Sequence, residues 1–338
     1  MKKKCLYCGI LKIHNRDRAK SDFNTEHVVP QAFGKFGTET PTLDIVCKQC
    51  NQLFGDGIDN ILARSGLNKQ RFYNGLTSDF DPKKHFQNQS IKVMGGVLDG
   101  LQVIPSEQNP QVIVPVQNVD FVLRRVDGTY DWFTLSAMPS LEEFMQYPDH
   151  PKLVWLKVDK KEEIVQKFHE KYNFSLEFTQ EITQEHPMLP SEVDVRYEFN
   201  VNEDMLRSIY KIGFNIFAHY CINNNLAYLP YDRCFDPIKR FILEGIKPSW
   251  FQYPSRNTMN TPILANEDPT NAPRIHIITF EANPDGCFTS SVAFYNEIHF
   301  RLMFACGDYP GVLEVRYARG FCPFTKKIIE IDTHGIFV

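Results

Sequence analysis

The chain has 338 residues, 43% of them hydrophobic and 23% charged, with a net charge of −4 at pH 7. This composition excludes a disordered or fibrous chain, and at about 150 residues per domain the length suggests about two domains. The average hides an asymmetry: residues 1–80 carry a net charge of +4 and the remainder −8, the pattern of a basic functional module joined to a more acidic body.

No run approaches 18 consecutive apolar residues, so no membrane span is expected. The basic N-terminus has no apolar stretch of signal-peptide length before Arg16 and Arg18, which gives a cytoplasmic location as the expectation. Nine cysteines in a reducing compartment argue for metal sites or buried thiols over disulfides.

Taken in chain order, the first feature is a cysteine pattern. Cys5/Cys8 and Cys47/Cys50 form two C-x-x-C pairs, the ligand spacing of a structural four-thiolate zinc site. Cys221, Cys234, Cys287, Cys306 and Cys322 have no such spacing and read as buried thiols. Between the pairs lie FNTEHVVPQAFG (23–34) and a strand-like TLDIV (42–46), and a helix is expected from Cys50 to Ala63. Strand, loop, strand and helix make a ββα unit too small to fold on apolar burial alone, so the zinc would clamp its ends.

A loop-like composition near residues 66–88 suggests a boundary, with a module at 1–75 and a body at 76–338. Strands are expected at 90–93, 100–104, 111–116, 120–126 and 129–135, in an antiparallel meander. Helices follow: Ser140 to Tyr147 with a Ser140/Glu143 capping box, Lys160–Lys171, Asn202–Asn223, and a helix capped by Asp236, with Pro237 first and Gly245 at its stop. Further strands are expected at 274–281, 288–295, 299–305, 312–317 and 327–331. The expected class is α+β, a zinc-bound ββα module followed by a larger, mainly antiparallel α+β domain.

The order C-x-x-C, EHVVPQAFG, VCKQCN resembles the HNH endonucleases, the ββα-metal nucleases, in their zinc-ribbon form. The resemblance covers residues 5–63. It implies structural Zn2+ on the four cysteines and metal-dependent phosphodiester hydrolysis, with DNA as the expected substrate. By position it makes His27 the general base and gives Glu26 and Asn51 to a catalytic Mg2+ or Mn2+ ion. A neutral imidazole can take a proton from water near pH 7, and a hard cation prefers oxygen ligands. Glu26 and His27 are adjacent, so a bend or bulge near 26–28 is needed to turn both toward one phosphate.

The family's middle Asn is replaced by Thr42, which offers fewer hydrogen bonds for orienting His27; Asp44 is the alternative. Asp59, eight residues after Asn51, is a further candidate set against a solvated helix face, and Asn51 against a helix cap. Lys2, Lys3, Lys4, Lys12, Arg16, Arg18, Lys20 and Lys48 are candidates for phosphate contacts, weighed against a solvated tail.

The body shows no catalytic motif. His219, His276 and His299 lack partners at ligand spacing, and KIGFN (211–215) resembles segments in the tails of uncharacterised HNH proteins. The 27 Phe and 14 Tyr read as core. The body is expected to provide target recognition or regulation, as in restriction or anti-phage defence. A single centre cuts one strand, so a homodimer is one route to double-strand breaks. The competing reading is a non-catalytic zinc-ribbon module that binds nucleic acid.

Overall fold

The computed structural model describes residues 1–34, 36, 40–67, 91–94, 100–105, 113–115, 119–149, 153–175, 194–196, 201–253, 274–282, 286–307, 309 and 316–331. The chain forms two compact units: residues 1–76 together with 199–338, and residues 77–198. This division differs from the expected one at 75/76. The chain leaves the first unit near the expected boundary, but from residue 199 onward it rejoins the N-terminal module. Sequence composition registers where a chain changes character; it does not register that a later segment completes an earlier core.

The first unit begins with the hairpin β1 (Lys2–Lys4) and β2 (Leu11–Ile13). The pair β3 (Phe23–His27) and β4 (Thr42–Cys47) follows, with the helices α1 (Lys48–Asp56) and α2 (Ile58–Ala63). The helix expected from Cys50 therefore starts two residues earlier and breaks at Gly57. There the backbone amide donates to Leu53 O at 3.1 Å, and a Cβ would meet that oxygen at 2.8 Å.

In the second unit, β5 (Ile91–Met94), β6 (Gln102–Pro105) and β7 (Ile113–Pro115) pair antiparallel. The strands β8 (Phe121–Arg124) and β9 (Tyr130–Phe133) belong to another sheet. The expected meander is thus split in two. Later strands complete each half: β10 (Leu153–Leu156) joins β8, and β11 (Asp194–Arg196) joins β5. The capping box holds as expected, with Ser140 and Glu143 each accepting from the other's amide, and opens the one-turn α3 (Leu141–Phe144). The helix α4 (Lys161–Tyr172) supplies Ile164, Phe168 and Tyr172 to a core with Phe121 and Phe144, the last stacked on Tyr172 at 3.9 Å.

Back in the first unit, α5 (Glu203–Asn223) is capped by the Asn202 side chain, which accepts from Met205 N at 2.9 Å. Its residues 208–218 are all buried, the mark of a helix enclosed on every side. The helix α6 (Asp236–Glu244) ends at Gly245 in the left-handed region, φ 78°. Asp236 lies inside this helix and does not cap it; Asp236 instead pairs with Lys239 at 2.7 Å, and the side chain of Asp232 caps the short turn before it.

The strands β12 (His276–Ala282), β13 (Phe288–Phe294), β14 (Ile298–Ala305), β15 (Arg316–Cys322) and β16 (Lys327–Glu330) form one antiparallel sheet, ordered β14-β13-β12-β15-β16. β15 lies later than the expected 312–317; residues 311–315 lie outside the described residues. Within β15, Gly320 makes room for the side chains of Ile275 and Ile331. Most Phe and Tyr pack in the cores, as expected.

Helix α5 rests on this sheet at Gly213, where a Cβ would lie 2.7 Å from Ser290 Oγ and 2.9 Å from Phe304 Cζ. Overfilled cores resist added atoms, so Gly213→Ala should cost about 1–3 kcal/mol in urea or thermal melts. A stabilised variant would show that the sheet yields. In the second unit, burial alone would raise the carboxyl of Asp120. Lys160 at 2.9 Å and the Leu135 amide at 2.9 Å overcome that and hold it below its ordinary value of 3.8. A depressed folded value stabilises above about pH 4 and is lost as pH falls through that folded value. Asp120→Asn is therefore expected to lose about 1–2 kcal/mol at neutral pH. The difference should shrink in acid; a constant difference would rule out the ionic contribution.

Candidate functional site

The two C-x-x-C pairs converge. The sulfurs of Cys5, Cys8, Cys47 and Cys50 all lie within 4.8 Å of one another, with Cys5–Cys50 and Cys8–Cys47 each at 3.9 Å. Sulfurs about 2.3 Å from a tetrahedral zinc stand about 3.8 Å apart, so the donor set fits that ion in kind and size. The first knuckle turns at Gly9, φ 68°, whose amide donates to Cys5 O, while Cys47 N donates to Cys5 Sγ at 3.4 Å. The contact between the Cys5 and Cys50 thiols pushes Cys5 down to about 4, and Cys50 rises in turn. Packed thiols of this kind are primed to become thiolates on a cation. Removing any one of the four, for example Cys47→Ser, should lower bound zinc from about one equivalent to under half and destabilise residues 1–67. Elemental analysis together with a melt tests this; wild-type protein with no zinc would refute the site.

Beside this cluster, β3 and β4 pair with a register shift between Asn24 and Glu26. Two residues of β4, Asp44 and Ile45, stand against Thr25 alone, so the irregularity lies one strand away from, and slightly before, the expected bend. Glu26 is buried and His27 is half-buried, and both line a single pocket of about 320 Å³ with Gln31, Asn51, Asp59 and Lys211.

Burial, and then the Lys211 charge, hold His27 below its ordinary value of 6.5, so the ring is neutral near pH 7. Its Nε2 lies 2.7 Å from the Gln31 amide nitrogen, while its buried Nδ1 has no hydrogen-bond partner among the described residues. Thr42 stands opposite His27 in the ladder and is exposed, and among the described residues no hydrogen bond joins them. Asp44 is taken by Lys3 at 2.8 Å and His14 at 3.3 Å. Asn51 lies inside α1, which starts after Cys47, and so is not its cap. Its Nδ2 donates to Thr25 O at 3.2 Å, which leaves the carbonyl oxygen as the atom available to a cation.

Asp59 is not on a solvated face. Its carboxylate accepts from Ser208 Oγ at 2.6 Å and from Lys211 Nζ at 2.6 Å. Lys211 also donates to Glu26 Oε1, which takes a second bond from Asn215 Nδ2 at 3.1 Å. Asn215 in turn accepts from Tyr7 OH at 2.6 Å. Burial raises the Glu26 carboxyl, with Lys211 pulling the other way and Asp59 adding to the rise. Although burial opposes its charge, Lys211 is held above its ordinary value by the two carboxylates.

Sequence reasoning did not assign Ser208, Lys211, Asn215 or Gln31. A signal existed for the first three: they recur at i, i+3 and i+7, one face of an otherwise apolar helix. Of the basic residues, Lys12 donates to Gln49 and Lys48 to Arg18 O, while Arg16 and Arg18 are exposed.

Residues 5–67 match the model of the HNH endonuclease family. No curated protein and no solved structure matches the chain. The matched segment carries the cysteine cluster, Glu26, His27, Asn51 and Asp59. A nuclease-type function is thereby supported for a module whose pocket also takes in Lys211, far outside the match. Among the described residues, no helix is long and apolar enough to cross a membrane.

Proposed function

We propose that this chain is a divalent-metal-dependent endonuclease that hydrolyses phosphodiester bonds in DNA. The observation that carries the reading is the convergence of a neutral His27, a buried Glu26 and Asn51 on one pocket beside the cysteine cluster. His27 would take the proton from the attacking water, as a general base whose ring is uncharged at the working pH. Oxygen donors of Glu26 and Asn51 suit Mg2+ or Mn2+ in kind, and these two residues would hold the ion. When bound, the ion would neutralise charge developing on the phosphate and leaving oxygen. Gln31 holds Nε2 at rest and would release it as the ring takes the water's proton. Exposed Arg16 and Arg18 would meet neighbouring phosphates, an interaction weakened by salt.

A small ββα centre reads mainly phosphates, so target choice would come from elsewhere in the chain. Residues 77–198, with a core of their own, would supply recognition or regulation, and by analogy restriction or anti-phage defence is the setting. The nine free cysteines accord with a reducing, cytoplasmic setting, and a homodimer would permit double-strand cuts. A zinc-ribbon module that only binds nucleic acid is the second reading, favoured by the unpartnered Nδ1 of His27.

His27→Ala should keep zinc, fold and DNA binding and lose about 10²- to 10⁴-fold in plasmid nicking with Mg2+ or Mn2+. If wild type and variant nick equally, or neither nicks DNA with any divalent metal, the endonuclease reading fails and the binding module stands.

A further inference from the structure

Among the described residues of the first unit Lys211 is the most deeply buried charge, with about 1% of its side chain exposed, and it lies on α5 and not in the matched segment. Its ammonium meets two carboxylates from two elements, Glu26 on β3 and Asp59 on α2. It also sits 5.3 Å from the centre of the Phe54 ring. A lone buried ammonium would be costly, and a buried pair of carboxylates equally so. The three charges together leave one net negative charge. Lys211 is shared by the two carboxylates, so its charge offsets one of their two. Oε1 of Glu26 already accepts from Lys211 and Asn215, so the other carboxylate oxygen is the one free for a cation.

We propose that Lys211 is a positioning residue of the nuclease centre: gripping Glu26 and counterbalanced by Asp59, it presents one carboxylate oxygen, with a single net charge, to the divalent ion. The inference rests on the endonuclease reading above. Ser208 and Asn215 belong to the same device, the one fixing Asp59 and the other fixing Glu26. The HNH segment is therefore incomplete without α5, 185 residues after Glu26. An ammonium seated among metal-binding carboxylates has an alternative consequence, competition with the ion, and this predicts the opposite response to its removal.

The test uses the full-length protein with Lys211→Met and with Lys211→Met/Asp59→Asn. The single variant strips the counter-charge from two buried carboxylates, and its folding suffers if both stay ionised. The double variant removes one charge of each sign and is expected to fold, to keep one zinc and to melt close to wild type. Mn2+ binding is read by electron paramagnetic resonance and nicking by plasmid relaxation. Positioning predicts that the double variant binds Mn2+ at least fivefold more weakly. Its kcat should fall at least tenfold while KM for DNA stays within about twofold, because Lys211 is too buried to touch DNA. Tighter Mn2+ binding and faster nicking would overturn the proposal in favour of competition. Unchanged binding and nicking in a folded double variant, or a double variant that does not fold, would reduce Lys211 to a structural ion pair. Wild type that binds no Mn2+ and nicks nothing would bring down the endonuclease reading and this inference together. Wild type that binds and nicks, matched by the double variant, brings down this inference alone.

Discussion

The first unit is organised around one buried ammonium. Lys211 stands in the interior of a helix with almost no access to water, and two carboxylates meet it there. Desolvation of three charges is tolerable only when their geometry is fixed, since a displaced partner leaves a charge unpaired in a medium that cannot screen it. The positions of β3, α2 and α5 are therefore mutually constrained. Tyr7, between two zinc-ligand candidates, extends the constraint through Asn215 to Glu26. Through the backbone of Tyr7 the cysteine cluster adjoins the pocket's polar network, and Tyr7 itself packs on Phe54 and Phe214.

Helix α5 serves two surfaces at once. Its Ser208, Lys211 and Asn215 face the ββα module, and Gly213 meets the five-stranded sheet with no room for a side chain. A helix covered on both sides cannot present a polar stripe to water, so its polar residues must find partners within the protein. They find them in the carboxylates that the motif residues supply. The sheet acts as a backing that presses α5 onto the centre. The C-terminal residues 199–338 thereby belong to the same compact unit as the module, and 77–198 is the segment with an independent core.

Much of this was legible in the residue order. The C-x-x-C pairs, the Glu-His step and the strand–strand–helix rhythm are local patterns, and their geometry follows from short-range backbone preferences. The capping box at Ser140 and the stop at Gly245 were equally readable. Asp236 misled because it precedes a proline as an N-cap residue would, whereas Asp232 caps the start of the preceding turn and the chain is already helical at Asp236. The meander was split between two sheets because strand pairing is decided by distant partners, β10 and β11. Asp59 read as a further candidate outweighed by a solvated helix face, since nothing near it in sequence announces a buried lysine.

The sequence by itself determined the chemistry of the module: four thiols at ligand spacing, and a Glu, a His and an Asn whose order matches a nuclease motif. These depend on covalent spacing and local hydrogen bonds, which any reader of the chain can count. Only the tertiary structure decided which charges share a pocket, which segments make one core and which stand apart. The contact between Glu26 and Lys211 crosses 185 positions, and contacts of that range depend on how all the intervening apolar faces are buried together. The net charge shows the same limit: the sequence divides it into a basic start and an acidic remainder, while folding places a buried lysine of the acidic part against two acids of the basic one.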